Sequence, residues 1–230
     1  MLTLLIMSDM LESNLTYFYP LQYNTDGLSF VIKKSELNLA ISLFDKLSNI
    51  DSIPYEYIIY DKMIINDVNN YIAIDVDGNV KTKGVFEDYN DIIKQGAYHK
   101  DTSAMIIPKA LKAYYIENIP VKQFVESHTN ILDFCCSQKV DKSYHIEWTS
   151  PQFVKSKQQR LNRFYASTKG GYIYKCRNGK QNHLLKESGV MIYNNHDPNV
   201  FPTDINYKFY IAQINKIISE ISNKNQLTLF

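Results

Sequence analysis

Apolar residues at the start of the chain recur at helical spacing and then give way to strand-like runs. The first pattern predicts a helix over residues 1–14. The runs Tyr17–Gln22 and Leu28–Lys33 flank the pair Asp26-Gly27, and an Asp-Gly pair between two such runs is a strong signal for a β-hairpin. A second amphipathic stretch predicts a helix over residues 36–48, which Ser35 is placed to cap.

The following apolar runs predict a strand and a second hairpin. Tyr55–Ile65 has the composition of a strand, and Asn69–Val76 and Asn79–Phe86 flank another turn at Asp77-Gly78. The order of helix, hairpin, helix, strand and hairpin suits an α+β layer, in which helices cover one face of an antiparallel sheet. We predict this layer to form a domain over residues 1–90.

The pattern after residue 88 predicts a mainly helical second domain over residues 91–222, with short strands over 143–195. Pro108 and Pro120 lie near predicted helix starts, where proline is tolerated. The helix-like stretches are Asp88–Lys94, Ala104–Tyr115, Val121–Cys136 and Asp204–Ser222. The last of them is the clearest amphipathic helix, and residues 223–230 remain as a C-terminal tail.

The composition is that of a folded globular protein, with 45% hydrophobic and 21% charged residues. The chain has no run of 18 apolar residues, and its start lacks the basic region of a signal peptide. We therefore expect a cytoplasmic protein without a membrane partner. The three Cys and five His lack the spacings of a zinc site, which makes reduced structural thiols the expectation.

The net charge of +1 conceals a concentration of cations. Residues 151–186, here called the basic segment, contain nine of the 25 Lys and Arg and no Asp or Glu. Five aromatic residues are interleaved with them: Phe153, Phe164, Tyr165, Tyr172 and Tyr174. Cations neutralise phosphates and aromatic rings stack on bases, so the segment predicts a polyanion-binding surface. The alternative is the solvated face of a β-rich segment.

Asp26 is the acid in the turn of the first predicted hairpin. A carboxylate at a hairpin tip is accessible to a hard cation such as Mg²⁺. The alternative is that the Asp-Gly pair only forms the turn, which is its commonest use.

Several segments resemble family B DNA polymerases. Residues 23–30, YNTDGLSF, look like motif C of the palm in the form found in phage members. Lys62–Glu87 resembles the next palm segment, with Tyr71, Lys81 and Lys83 at matching positions. Ile106–Leu111 resembles the start of the thumb, and residues 159–165, QRLNRFY, are similar to the region that grips the product duplex.

The resemblance implies the palm end and thumb of a phage-type family B DNA polymerase, which transfers nucleotides to a primer 3′-OH. Asp26 would be the catalytic carboxylate and a ligand of Mg²⁺ or Mn²⁺. The other implied DNA-binding residues fall into two groups. Tyr71, Lys81 and Lys83 would support the primer–template junction, and the product phosphates would be held by Lys157, Arg160, Arg163 and Lys169.

Two positions depart from the family pattern, with Asn24 in place of the first Asp of motif C and Asn69 in place of a Lys. The motif A carboxylate and the fingers helix of the family have no counterpart before Asp26. Two-metal catalysis needs both carboxylates. We therefore expect the isolated chain to be inactive and to share its metal ions, and the deoxynucleoside triphosphates, with an N-terminal polymerase half.

The last five residues, QLTLF, resemble the pentapeptide by which bacterial DNA polymerases bind the β sliding clamp. The predicted clamp contacts are Gln226, Leu227, Leu229 and Phe230. Two other interpretations of the whole chain remain. One is a non-catalytic module that binds duplex DNA and the clamp, and the other is a metal-dependent nuclease of unrelated fold.

Overall fold

A computed structural model describes residues 2–97, 99–197 and 200–226. The chain forms two compact units, Met1–Lys81 and Thr82–Phe230, whereas the boundary predicted from the sequence lies at residue 90. Each unit combines helices with antiparallel strands, which confirms the predicted α+β class. Within the described residues, no helix is long and apolar enough to cross a membrane.

The first unit packs a β-hairpin on two helices. Its elements are helix α1 (Leu2–Asn14), strands β1 (Phe18–Tyr23) and β2 (Leu28–Ile32), and helix α2 (Leu37–Asp51). Leu11, Phe44 and Leu47 are buried where the two helices meet, and Phe18 and Phe30 pack against them. Because these rings lie on one face of the hairpin, burial fixes which face of each strand points to the helices.

Two local predictions for the first unit were wrong. Ser35 does not cap α2, because a 3₁₀ turn over Lys34–Glu36 precedes it and places Glu36 at the N-cap without a side-chain hydrogen bond. The strand predicted from Tyr55 begins instead at Tyr60. Tyr60 pairs with Asp75, the last residue of the partner strand, so the ladder ends at this pair. The second sheet therefore consists of β3 (Tyr60–Asp67), β4 (Asn70–Asp75) and β5 (Val80–Lys83), in that order.

The helices of the second unit are α3 (Tyr89–Lys94), α4 (Ile106–Ile116), α5 (Val121–Ser127), α6 (Ile131–Phe134) and α7 (Tyr207–Gln226). The single helix predicted over Val121–Cys136 was wrong. The apolar spacing of this stretch continues past Ser127, but the backbone of His128 is extended and ends α5. The Asn130 side chain then accepts a hydrogen bond from the Leu132 N–H and caps a new helix, α6. Cys135 then begins a strand.

In the described part of the second unit, seven strands form two antiparallel sheets. They are β6 (Cys135–Lys139), β7 (His145–Thr149), β8 (Lys155–Gln158), β9 (Leu161–Ser167), β10 (Tyr172–Arg177), β11 (Lys180–His183) and β12 (Gly189–Ile192). One sheet has the order β11-β10-β7-β8 and the other β12-β9-β6. The short strands predicted over 143–195 are confirmed, and together with β6 they make this unit richer in strands than expected.

The two sheets pack face to face as a β-sandwich. Ile146 and Ile173 of the four-stranded sheet share a buried cluster with Phe164 and Val190 of the three-stranded sheet. The backbones of Gly171 and Val190 exchange hydrogen bonds of 2.7 and 3.0 Å at one corner. A Cβ atom at Gly171 would lie 1.9 Å from the Thr149 carbonyl oxygen, so this corner, where the Gly171 and Val190 backbones cross, requires glycine at position 171.

Candidate nucleic-acid interface

Asp26 lies exposed in the tight turn between β1 and β2, as the sequence predicts. A hydrogen bond of 2.7 Å from the Asn24 N–H to the Gly27 carbonyl closes the turn. Across the part of the chain that the structure describes, no group of three His, Cys, Asp or Glu side chains could hold a metal ion. Mg²⁺ needs further oxygen ligands beyond one carboxylate, so the described residues do not form a complete metal site.

The residues that match the second palm segment differ in accessibility. Tyr71 lies on β4 opposite Ile65 and is only 7% exposed, so its ring contributes to the core. Lys81 is exposed and Lys83 half-buried, with the buried Thr82 between them on β5. Alternation along a strand puts the two lysines on one face, where they can contact a phosphate backbone.

Burial divides the basic segment into core and surface residues. Phe164 and Tyr165 are buried, whereas Tyr172 is 45% and Phe153 83% exposed. The segment's cations are exposed, apart from the half-buried Lys175. Phe164 therefore contributes to the sandwich core and Tyr165 is buried on the other face of its sheet, while most of the positive charge remains exposed.

The four predicted phosphate contacts lie on two sides of the sandwich. Lys157 is opposite Glu147, on the face of the four-stranded sheet that points away from the core. Arg163 is opposite Ser137 in the other sheet, on the side where the Tyr165 hydroxyl donates a hydrogen bond of 2.9 Å to Asp204. The strand order thus separates cations that are close in the sequence.

The remaining two contacts lie in connections between strands. Arg160 precedes β9, and its guanidinium donates a hydrogen bond of 3.1 Å to the Val140 carbonyl. Lys169 is exposed in the turn between β9 and β10. The hydrogen bond restricts the Arg160 side chain, and Lys169 remains accessible to a partner.

His183 is a candidate that sequence reasoning missed, because the five His lack the spacings of a zinc site and no other signal was assigned to them. His183 lies opposite Tyr174 across β10 and β11, with 4.4 Å between the ring centroids. The signal that could have found it is Asn178-Gly179, a two-residue hairpin turn that fixes this register. A histidine beside two tyrosines on one sheet face is then predictable.

The segment that resembles the start of the thumb has a structural role at Lys109. The Lys109 ammonium and the His128 ring both contact the Asp133 carboxylate, at 2.7 and 2.6 Å. Burial raises the pKa of Asp133, but the hydrogen bonds from His128 and Lys109 outweigh that effect and hold the pKa below 3.8. The triad ties α4 to α6 and to the connection between α5 and α6.

Lys112 forms a second, partly buried cluster with the start of α3. Asp88 caps this helix by accepting hydrogen bonds from the Asn90 and Asp91 N–H groups, at 2.8 and 3.2 Å. Lys112 contacts both Asp88 and Asp91. Burial raises the pKa of Asp88, but the hydrogen bond and charge of Lys112 bring it below 3.8.

The predicted clamp-binding tail lies mostly outside the described residues. Leu227, Leu229 and Phe230 are not among them, nor is the side chain of Gln226. Helix α7 continues to Gln226, so the predicted end of this helix at Ser222 was wrong. Clamp binding itself stays a prediction.

Comparison with known proteins identifies no family. No protein-family model matches the chain, and no curated protein is significantly similar to it.

Proposed function

We propose that this chain is a DNA-binding part of a DNA-directed DNA polymerase. The observation that carries the proposal is the exposure of the basic segment, which contributes Phe164 and Ile173 to the sandwich core and keeps eight of its nine cations exposed on the surface. Accessible cations from a segment that contains no acid attract phosphate backbones irrespective of base sequence, although Glu147 of β7 pairs with Lys155. Arg160, Arg163 and Lys169 hold product-duplex phosphates, and Lys157, on the side of the sandwich opposite Arg163, contacts DNA outside that duplex.

The exposed position of Asp26 at a hairpin tip, together with its motif C-like sequence, supports the polymerase assignment over other nucleic-acid proteins. In this proposal Asp26 supplies one ligand to Mg²⁺ or Mn²⁺, whose chemistry when bound is to activate the primer 3′-OH and stabilise pyrophosphate. An N-terminal polymerase half supplies the other carboxylate and binds the deoxynucleoside triphosphate. The isolated chain is therefore inactive.

The remaining assignments follow from the same proposal. Lys81 and Lys83 contact the primer–template junction, and the buried Tyr71 positions their sheet. The tail docks on a bacterial-type sliding clamp, and the protein works in the cytoplasm, that of a bacterial host if a phage encodes it.

A second candidate is a non-catalytic module that binds duplex DNA and the clamp. The observation that favours it is the lone carboxylate at Asp26, since the described residues hold no cluster that could complete a metal site. Such a module needs the cations of the basic segment and does not need Asp26.

Primer extension distinguishes the two candidates. The 230-residue chain is assayed with primer–template DNA, Mg²⁺ and all four deoxynucleoside triphosphates, alone and with the product of the upstream neighbouring reading frame. We expect duplex binding by the chain alone and extension only with the added half. Asp26→Asn should abolish extension, whereas Asp45→Asn, which alters another exposed acid of the first unit, should not.

Each contrary outcome has a definite meaning. Extension that survives Asp26→Asn contradicts the catalytic role of this residue. Extension by the chain alone contradicts the shared site. Duplex binding with no extension in any combination supports the accessory module.

A further inference from the structure

The outward face of the four-stranded sheet carries polar and aromatic side chains in register. Strand alternation places this outer face opposite the face that contributes Ile146 and Ile173 to the sandwich core. Two rows of paired residues cross it. One is Lys157, Glu147, Tyr174 and His183, and the next is Lys155, Thr149 and Tyr172.

Three rings of the outer face lie in contact. His183 is 4.4 Å from Tyr174 and 5.9 Å from Tyr172, measured between ring centroids. Tyr172 is 45% exposed, and His183 is exposed as well. Their mutual contact restricts each ring, so part of the entropy cost of binding a flat ligand is already met.

The charge of this face favours an anionic ligand. Lys155 and Lys157 extend from the edge strand β8, one in each row. Glu147 lies between the lysines and the rings. Its Oε1 forms an ion pair with Lys155 at 3.1 Å and accepts a hydrogen bond of 2.9 Å from Gln181. These contacts offset the single acid in the two rows.

Phe153 adds another accessible ring beside the second row. It lies in the turn between β7 and β8, is 83% exposed, and has a φ of 63°. A bulky residue rarely adopts the left-handed region, and here the hydrogen bond from the Phe153 N–H to the Ser150 carbonyl, 2.9 Å, helps to fix the turn.

We infer that the outer face binds single-stranded nucleic acid. Unpaired bases stack on Tyr172, Tyr174 and His183, while Lys157 neutralises phosphate charge and Lys155 offsets Glu147. A duplex cannot use the rings in this way, because its base faces are hidden in the helical stack. The inference goes beyond the proposed duplex grip, since it requires neither Asp26 nor the polymerase assignment.

Anisotropy titrations on the full chain test the inference. The probes are fluorescein-labelled oligo(dT) and oligo(rU) of about 12 nucleotides, an abasic strand of equal length, and a duplex. The double variant Tyr172→Leu/Tyr174→Leu should weaken oligo(dT) binding by at least about tenfold, because leucine has no aromatic face. Tyr172→Phe/Tyr174→Phe keeps the rings and should stay within about twofold of the parent protein.

The controls separate stacking from charge and from misfolding. Tyr89→Leu removes an exposed tyrosine from helix α3 and should leave binding unchanged. The parent protein should bind the abasic strand at least about tenfold more weakly than oligo(dT). This comparison tests base stacking without any variant, so it holds even if the leucine variant fails to fold. The ratio of oligo(dT) to oligo(rU) affinity shows which nucleic acid is the source of the strand.

Two results would overturn the inference. One is equal oligo(dT) affinity of the folded leucine and phenylalanine variants. The other is equal affinity of the parent protein for oligo(dT) and the abasic strand, which would show binding by charge alone. If the parent protein binds oligo(dT) but does not bind the duplex, the single-strand site is supported and the proposed duplex grip is contradicted.

Discussion

Lys157 and Arg163 extend from opposite sides of the same β-sandwich. The first lies beside Glu147 on the outer face, and the second beside Ser137 in the other sheet. One rigid duplex bound flat against the sandwich therefore contacts only one of these sides. This relationship makes the two classes of nucleic-acid contact separable by mutation.

We predict that the double variant Arg160→Ala/Arg163→Ala weakens duplex binding and flattens its salt dependence. Each lost phosphate contact lowers the log–log slope by about 0.9, so the pair should reduce it by about 1.8. Binding of a labelled duplex at several salt concentrations gives the slope. Lys122→Ala alters an exposed lysine of α5 outside the basic segment and should leave the slope unchanged. A slope near zero for the parent protein would contradict the phosphate grip.

Lys112 is predicted to be essential for the stability of the second unit. Lys112→Met leaves the buried carboxylate of Asp88, and that of Asp91, without their cation, which should cost about 3 kcal/mol of unfolding free energy. Urea denaturation measures this change. Lys122→Met, which breaks a 4.0 Å surface pair with Glu126, should cost less than about 0.5 kcal/mol. Equal effects of the two variants would show that the Asp88 cluster adds no special stability.

Acid should destabilise the protein through carboxylates such as Asp88 and Asp133. Their pKa values in the folded state lie below the ordinary 3.8, so the folded state binds protons less readily than the unfolded one. The resulting stability is fully present above pH 3.8 and is lost as the pH falls through the lower folded-state pKa values.

Melting temperatures measured between neutral and acid pH check this dependence. Asp133→Asn should be less stable than the parent protein at neutral pH, with a difference that shrinks as the pH falls. A difference that stays constant with pH would show that the Asp133 contacts stabilise by packing alone.

The three thiols should react slowly in the folded protein. Burial raises the pKa of Cys135 to about 12 and that of Cys136 to about 11, and it also raises the pKa of Cys176. Since the thiolate is the nucleophile, a disulfide reagent at pH 8 should label the native protein far more slowly than the urea-unfolded one. Rapid labelling of a single thiol in the native state would locate an accessible cysteine that these surroundings do not explain.

The elements that local sequence signals determine were predictable. The hairpins at Asp26-Gly27 and Asp77-Gly78 follow from turn chemistry, and α1 follows from its spacing. The break at Asn130 was not predictable, because the apolar period continues through a residue whose side chain caps a new helix. The β6 strand forms because it pairs with β9, a partner distant in the sequence.

The candidate interface shows the same division between local and non-local information. The concentration of cations was visible in the sequence, as was the exposed turn at Asp26. The separation of Lys157 from Arg163 was not, because it depends on which strands share a sheet. The sequence also could not show that Phe164 and Tyr165 are core residues while Tyr172 is exposed.

The crossing of Gly171 and Val190 has a consequence for the divergence of this protein. No side chain fits at position 171 beside the Thr149 carbonyl, so any descendant that keeps the sandwich must keep this glycine. The neighbouring Tyr172 is free to change with the ligand. Variation at position 172 against a constant glycine at position 171 would therefore record a change of binding preference on an unchanged scaffold.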